Sequence, residues 1–251
     1  MELKKLFIIT DFDHTITDKD SNSSWGVLES STLLSKESRK ECEKYKNYYM
    51  PIEKDCTISE EEKSKYMKQW LEKNLNIFIK SKLTEKEIDR VSSKKDCMKL
   101  RKGSKEFLKF TNKYQIPVII ISAGISNIIE NFLKTNDLLF NNIYIVSNII
   151  KYKEGYIKGF RNEAIHSLNK NEIKLPSKIE EIIKEKEKIV LLGDNVEDIY
   201  MIPKGRENNT FKIGFLNGHK NNRKKYNETF DIVYDDESFT NVIDILKNTH
   251  D

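Results

Sequence analysis

Six short runs rich in β-branched and apolar residues punctuate the chain, at residues 5–10 (KLFIIT), 117–121 (PVIII), 143–147 (IYIVS), 189–193 (IVLLG), 211–215 (FKIGF) and 231–234 (DIVY). Runs this short and this apolar suit strands buried on both faces. Helical patterns lie between them, such as 103–114, 125–136 with Ile128, Ile129, Phe132 and Leu133 on one face, and 238–247 behind Ser238 as N-cap. Strands that alternate with helices imply an α/β fold built on a parallel sheet. The alternation breaks once. From about residue 28 to about 100 there are helical segments near 36–47, 59–75 and 84–95 and no strong strand run, which reads as a helical insert after the first strand. A smaller exception, IIKYKEGYIKGF at 149–160, reads as a hairpin turning at Glu154 and Gly155.

A chain of 251 residues can bury one large core, or a core plus a smaller insert. Its 44 basic and 40 acidic residues leave a formal charge of +4, too balanced to imply a nucleic-acid partner, while a small anionic substrate fits. Lysine clusters such as NNRKKYN read as solvated faces. Cys42, Cys56 and Cys97 form no CxxC pair, so free thiols in a reducing compartment are expected. The basic then apolar start MELKKLFIIT meets an aspartate after a few residues, unlike a signal peptide, and no run approaches the ~18 apolar residues of a membrane span. A cytoplasmic monomer with no membrane partner is the expectation, and the sequons at Asn22, Asn208 and Asn227 are then chance products of an asparagine-rich chain.

Ligands of an open parallel sheet bind outside the carboxyl ends of the strands. The polar residues obey that rule. The first run ends in Asp11 and Asp13, the second in SAG with Ser122, and IVLLGDNVED ends in Asp194 and Asp198. One aspartate after a strand is as readily a helix cap, but two such clusters and SAG in this order point to convergence at one edge. Clustered carboxylates raise one another's pKa unless a cation sits among them. A hard divalent cation with oxygen ligands, Mg²⁺, answers that requirement and commonly takes a substrate phosphate as a further ligand.

These segments resemble a known family. DFDHT, SAG, a later lysine and GDNVED are similar to the four motifs of the haloacid-dehalogenase-like phosphatases, whose core is a Rossmann-like parallel sheet with a cap inserted after the first strand. YYMPIEKD, EEKSKYMKQW, IIISAGISNIIE, IVSN, KGFRNEAIHSLNK and IVLLGDNVEDIYM follow one another as in the cytosolic 5'-nucleotidases of type III, the pyrimidine and 7-methylguanosine monophosphate class, and cover nearly the whole chain. The resemblance implies a catalytic core of residues 1–27 and 101–251 and a helical cap of 28–100. It implies Asp11 as nucleophile through an aspartyl-phosphate, and Asp13 as the acid and base that also offers its backbone carbonyl to Mg²⁺. Asp194 and Asp198 complete the metal site, and Thr15, Ser122, the Ala123 N–H and Lys170 hold the phosphoryl oxygens. Lysines 158, 170 and 174 all lie in the right region, and KGFRNEAIHSLNK selects Lys170. His166, in the same segment, reads as structural.

In the cap, Glu53 matches the glutamate that reads the nucleobase. A carboxylate only accepts hydrogen bonds, so it suits the amino groups of cytosine and guanine and opposes uracil O4. Tyr66 and Trp70, four apart on one helix face, either stack on a base or pack in the cap. Ser64, Leu71 and Asn74 depart from the family pattern around the base, Asn74 standing at the place of a pocket serine. The reading is a Mg²⁺-dependent nucleoside 5'-monophosphate phosphatase. Phosphotransfer to a nucleoside is a side activity open to the same nucleophile. The alternative is a phosphatase for another small phosphoester such as phosphoserine, against which YYMPIEKD and the Trp70 helix argue.

Overall fold

The fold is that of a computed structural model describing residues 2–55, 57–218, 222–235 and 238–248; Cys56 lies outside them. Each predicted apolar run forms a strand: β1 (Leu6–Thr10), β2 (Val118–Ile125), β3 (Ile143–Asn148), β6 (Lys188–Gly193), β7 (Thr210–Phe215) and β8 (Ile232–Tyr234). They pair in parallel in the order β3-β2-β1-β6-β7-β8. The predicted hairpin is β4 (Ile150–Lys153) and β5 (Tyr156–Phe160), an antiparallel pair whose turn residues Glu154 and Gly155 have φ of 55° and 81°. Two consecutive positive φ values match the twist of the strands, and glycine adopts the second without strain.

Side chains alternate across β1. Leu6 and Ile8 join one apolar cluster and Phe7 and Ile9 the other, so both sheet faces are covered. The first cluster takes in α5 (Ser104–Lys113), α6 (Ser126–Thr135) and α9 (Thr240–Asn248), the second α7 (Ser177–Glu185) and α8 (Arg223–Thr229). The Ile128, Ile129, Phe132 and Leu133 face expected of α6 is buried as predicted. Ser238 lies two residues before α9, and its Oγ accepts the Thr240 N–H at 3.1 Å.

Between β1 and α5 the described residues form α1 (Ser24–Glu29), α2 (Lys36–Lys54), α3 (Glu60–Lys80) and α4 (Glu85–Ser92), with no strand among them. Serine or threonine N-caps start all four, and Thr84 with Glu87 makes a reciprocal capping box on α4. The sequence pattern places this helix only near 36–47; although Pro51 withholds an N–H from the turn before it, the helix runs on to Lys54. That extra turn carries Glu53. The helical segment shares its apolar cluster with the sheet, through Leu34, Leu71, Phe78 and Ile88. Its ends meet, since Asp18 N–H donates to Lys99 O at 2.8 Å and Arg101 N–H to Ile16 O at 3.0 Å.

Arg101 anchors this junction from below. Its guanidinium is buried over the Phe215 ring at 4.4 Å and donates to Thr15 O at 2.6 Å, to His14 O and to Asn217 Oδ1 at 2.8 Å. Removing one partner of a buried charged network strands the others, at a cost of about 1–3 kcal/mol per orphaned group. Arg101→Met should therefore lower unfolding stability by roughly 2–4 kcal/mol in urea titrations. A loss under half a kcal/mol would show that the guanidinium is dispensable.

Candidate active site

The Asp11 N–H donates to Leu192 O of β6 at 3.1 Å, which pins the first aspartate where the carboxyl ends of the two central strands meet. Strand order reverses around β1, and ligands of such sheets sit in that crevice. The chain then turns sharply at His14, φ 61°, whose N–H is held by Thr17 Oγ1 at 2.8 Å. From β6, Gly193 leads into GDNVED. A Cβ on Gly193 would lie 2.4 Å from Asp198 Oδ2, so only glycine lets that carboxylate fold back to accept the Asp194 and Asn195 N–H groups, each at 3.0 Å.

The predicted convergence of Asp11, Asp194 and Asp198 is present: an oxygen from each lies within 4.8 Å of the others. Lys170 is the lysine that reaches them, its buried Nζ donating at 2.7 Å to both Asp11 Oδ1 and Asp198 Oδ1. It stands in the irregular stretch after β5. Buried Asn148 braces that stretch, binding Ile165 through its N–H and its carbonyl at 2.8 Å each and Ala123 O at 2.8 Å. Asn148 closes the IVSN motif, which accounts for that motif's place in the pattern.

The Asp13 side chain stands apart from the three. It accepts the Ser24 N–H at 2.9 Å and the Ser24 hydroxyl at 2.7 Å, and Ser24 Oγ in turn accepts the Ile125 N–H at 3.1 Å. Ser122 Oγ accepts the Gly124 N–H at 3.0 Å, and a Cβ on Gly124 would come within 2.2 Å of Ser24 Oγ. The SAG glycine is thus required by the close approach of α1. Thr15 donates to Asp194 Oδ1 at 3.1 Å, and Asn217 Nδ2 donates to Asp194 Oδ2 at 3.1 Å, so Thr15 here braces a carboxylate.

A cavity of about 850 Å³ joins these groups to the helical segment. Asp11, Asp13, Ser122, Ala123, Lys170, Asp194 and Asp198 line it together with Glu53, Trp70 and Asn74. Thr15 and Tyr66 are not among its lining residues. Tyr49 stacks on Trp70, with centroids 6.0 Å apart and planes 13° apart, and Tyr66 leans on Tyr49 at 6.4 Å. Glu53 Oε1 accepts the Ser167 hydroxyl at 2.6 Å, three residues before Lys170. His166 is buried between the segments with Nε2 3.3 Å from Ser64 Oγ, and burial followed by Lys68 lowers it to about 4, so it is neutral at pH 7. Ser24, Ser167, Glu29 and Asn217 escaped the sequence reading. Ser24, Ser167 and Glu29 are common polar residues outside any core-strand end, whereas Asn217 carries a local signal, lying two residues past the end of β7 and before Gly218.

Burial dominates the electrostatics. It pushes Asp11 well above the carboxylate range; Lys170 opposes this, while Asp198 and Asp194 add to it. Burial and then Asp198 push Asp194 up to about 6. Burial raises Asp13 against its two Ser24 bonds, and Glu53 against its Ser167 bond. Burial lowers Lys170, but Asp11 and Asp198 outweigh it and keep the ammonium charged. Three carboxylates around one lysine leave net negative charge, which a hard divalent cation fits.

The profile of the family described as pyrimidine 5'-nucleotidase (UMPH-1) matches residues 8–250. The chain belongs to this family. A 7-methylguanosine phosphate-specific 5'-nucleotidase of Homo sapiens is 33% identical over 253 residues, covering 96% of this chain and 83% of that protein. Its Drosophila melanogaster counterpart is 32% identical, over 95% and 78%. Among solved structures, cytosolic 5'-nucleotidase IIIB bound to cytidine superposes with a TM-score of 0.84 at 30% identity, over 97% of this chain and 85% of that one. A substrate-bound phosphoserine phosphatase, TM-score 0.63 and 20% identity over 97% of each chain, shares the fold alone. As a member of this family the protein is a phosphoric monoester hydrolase, and its fold is haloacid-dehalogenase-like. No helix of the described residues is long and apolar enough to cross a membrane.

A carboxyl whose native pKa lies above its unfolded value binds its proton more tightly when folded. Its contribution to stability is then complete below about 4 and is lost as pH rises through the folded value. In chelator, the stability difference between wild type and Asp194→Asn should therefore shift against wild type from about pH 4 to about pH 6. A saturating divalent cation should abolish that trend. A difference in Tm that stays flat with pH in chelator would contradict this account.

Proposed function

We propose that the protein is a Mg²⁺-dependent nucleoside 5'-monophosphate phosphatase acting through an aspartyl-phosphate on Asp11, with pyrimidine or 7-methylguanosine monophosphates as substrates. The observation that carries this reading is the single cavity in which the Asp11–Lys170 cluster shares walls with Glu53 and Trp70. A phosphate at the cluster and a base at the helical segment would occupy one enclosure. The relatives' names, 7-methylguanosine phosphate-specific 5'-nucleotidase and a cytidine-bound 5'-nucleotidase, support the same class.

Lys170 holds Asp11 Oδ1, so Oδ2 is the oxygen that attacks phosphorus. The Asp11 O–P bond forms as the bond from phosphorus to the ribose 5'-oxygen breaks. Asp13, raised by burial and oriented by Ser24, gives its proton to that leaving oxygen. The Asp13 carboxylate then takes a proton from water as the water oxygen attacks phosphorus, which releases phosphate and restores Asp11. Ser122, the Ala123 N–H and Lys170 hold the phosphoryl oxygens. Asp11, Asp194, Asp198 and the Asp13 carbonyl would hold Mg²⁺, which supplies charge neutralisation for the transferring phosphoryl group.

Asp11→Asn should leave a folded protein whose turnover falls by about a thousandfold or more, because an amide cannot accept the phosphoryl group. Activity within tenfold of wild type would sink the mechanism. Excess EDTA should abolish turnover and Mg²⁺ restore it.

Glu53 supports a base preference. Ionised, it accepts from the cytosine amino group and opposes uracil O4, so CMP should exceed UMP in kcat/KM by about tenfold. Glu53→Gln, able to donate to O4, should bring the ratio toward one. The preference should also shrink as pH falls toward the raised pKa of Glu53, whose protonated form can donate. An unchanged ratio in Glu53→Gln would remove Glu53 from base reading.

A further inference from the structure

The cavity holds a second polar feature beside Glu53. Glu29, the last residue of α1, accepts the Asn74 Nδ2–H at 2.6 Å, and both line the cavity. Asn74 is 2% exposed, and its Oδ1 is buried without a partner. One turn earlier on α3, the Trp70 Nε1–H is likewise buried without a partner. A carboxylate accepts only, so it turns the amide with its NH₂ toward itself and leaves the carbonyl as the unpaired group. Asn74 and Trp70 both line the cavity, and a buried acceptor and a buried donor left without partners one turn apart are groups that a ligand entering it could pair.

We propose that Glu29 and Asn74 are specificity-determining residues of the base pocket: Glu29 orients the Asn74 amide so that its carbonyl demands a second N–H from the base, beyond the one Glu53 takes. This rests on the nucleotide reading above. A guanine-type base meets the demand with N1–H and its 2-amino group, and its O6 supplies an acceptor for Trp70 Nε1. Uracil has one N–H, and a hypoxanthine base lacks the amino group. Burial pushes Glu29 up to about 7 against the pull of Lys46 and Asn74, so the pair is best tested at pH 8, where Glu29 is ionised.

The wild-type protein should bind guanosine about tenfold more tightly than inosine or uridine in calorimetric titration, the usual discrimination of a site built to pair a ligand N–H. Glu29→Gln frees the amide to turn, and Asn74→Leu keeps its shape without the carbonyl. Each should cut the guanosine-to-inosine preference about fivefold or more and act on KM rather than kcat for GMP. The proposal is overturned if wild type binds inosine as tightly as guanosine, or if a variant with an unchanged Tm keeps the wild-type preference. Failure of the nucleotide reading looks different: wild type would then bind no nucleoside and hydrolyse no nucleotide.

Discussion

The ion cluster of Asp11, Lys170 and Asp198 at the carboxyl ends of β1 and β6 is the constraint on which the rest depends. Two buried carboxylates and a third close by would repel one another and resist desolvation; the ammonium between them, 2.7 Å from each of two oxygens, makes their burial tolerable. Other features follow from that demand. Gly193 is bare because Asp198 must fold over it, and Asn148 braces the irregular segment because Lys170 must arrive from a stretch with no ladder of its own. Arg101 holds the His14 and Thr15 carbonyls that shape the turn after Asp11.

The same strand ends also tie the helical segment to the sheet. Ser24, at the first turn of α1, binds Asp13 and the Ile125 N–H together, and Trp25 donates to Ala123 O at 2.9 Å while stacking on Phe78 of α3. The Asp13 carboxylate and the SAG segment are therefore positioned by the same element, α1, that leads into the helical segment. Ser167 makes a second link, from Glu53 to the loop that presents Lys170. The carboxylate cluster and the helical wall of the cavity therefore share their supports.

The sequence by itself determined the strands, their parallel character, the helical insert and the gathering of Asp11, Asp13, Ser122, Asp194 and Asp198 at one sheet edge, because each leaves a local mark: an apolar run, a period, or a polar residue just past a strand. Lys170 follows no core strand directly and is singled out only by the family resemblance of its segment. The sequence could not show that α2 continues through Pro51, since a proline costs a hydrogen bond that only tertiary packing of the helix replaces. Nor could it reveal Ser24 on Asp13, Ser167 on Glu53 or Glu29 on Asn74, pairs separated by 11, 114 and 45 residues. Such partners are ordinary serines, glutamates and asparagines in a chain full of them. Only the tertiary structure decided which of them are buried together, because a polar side chain acquires direction and a shifted pKa from its neighbours in space and not from those in sequence.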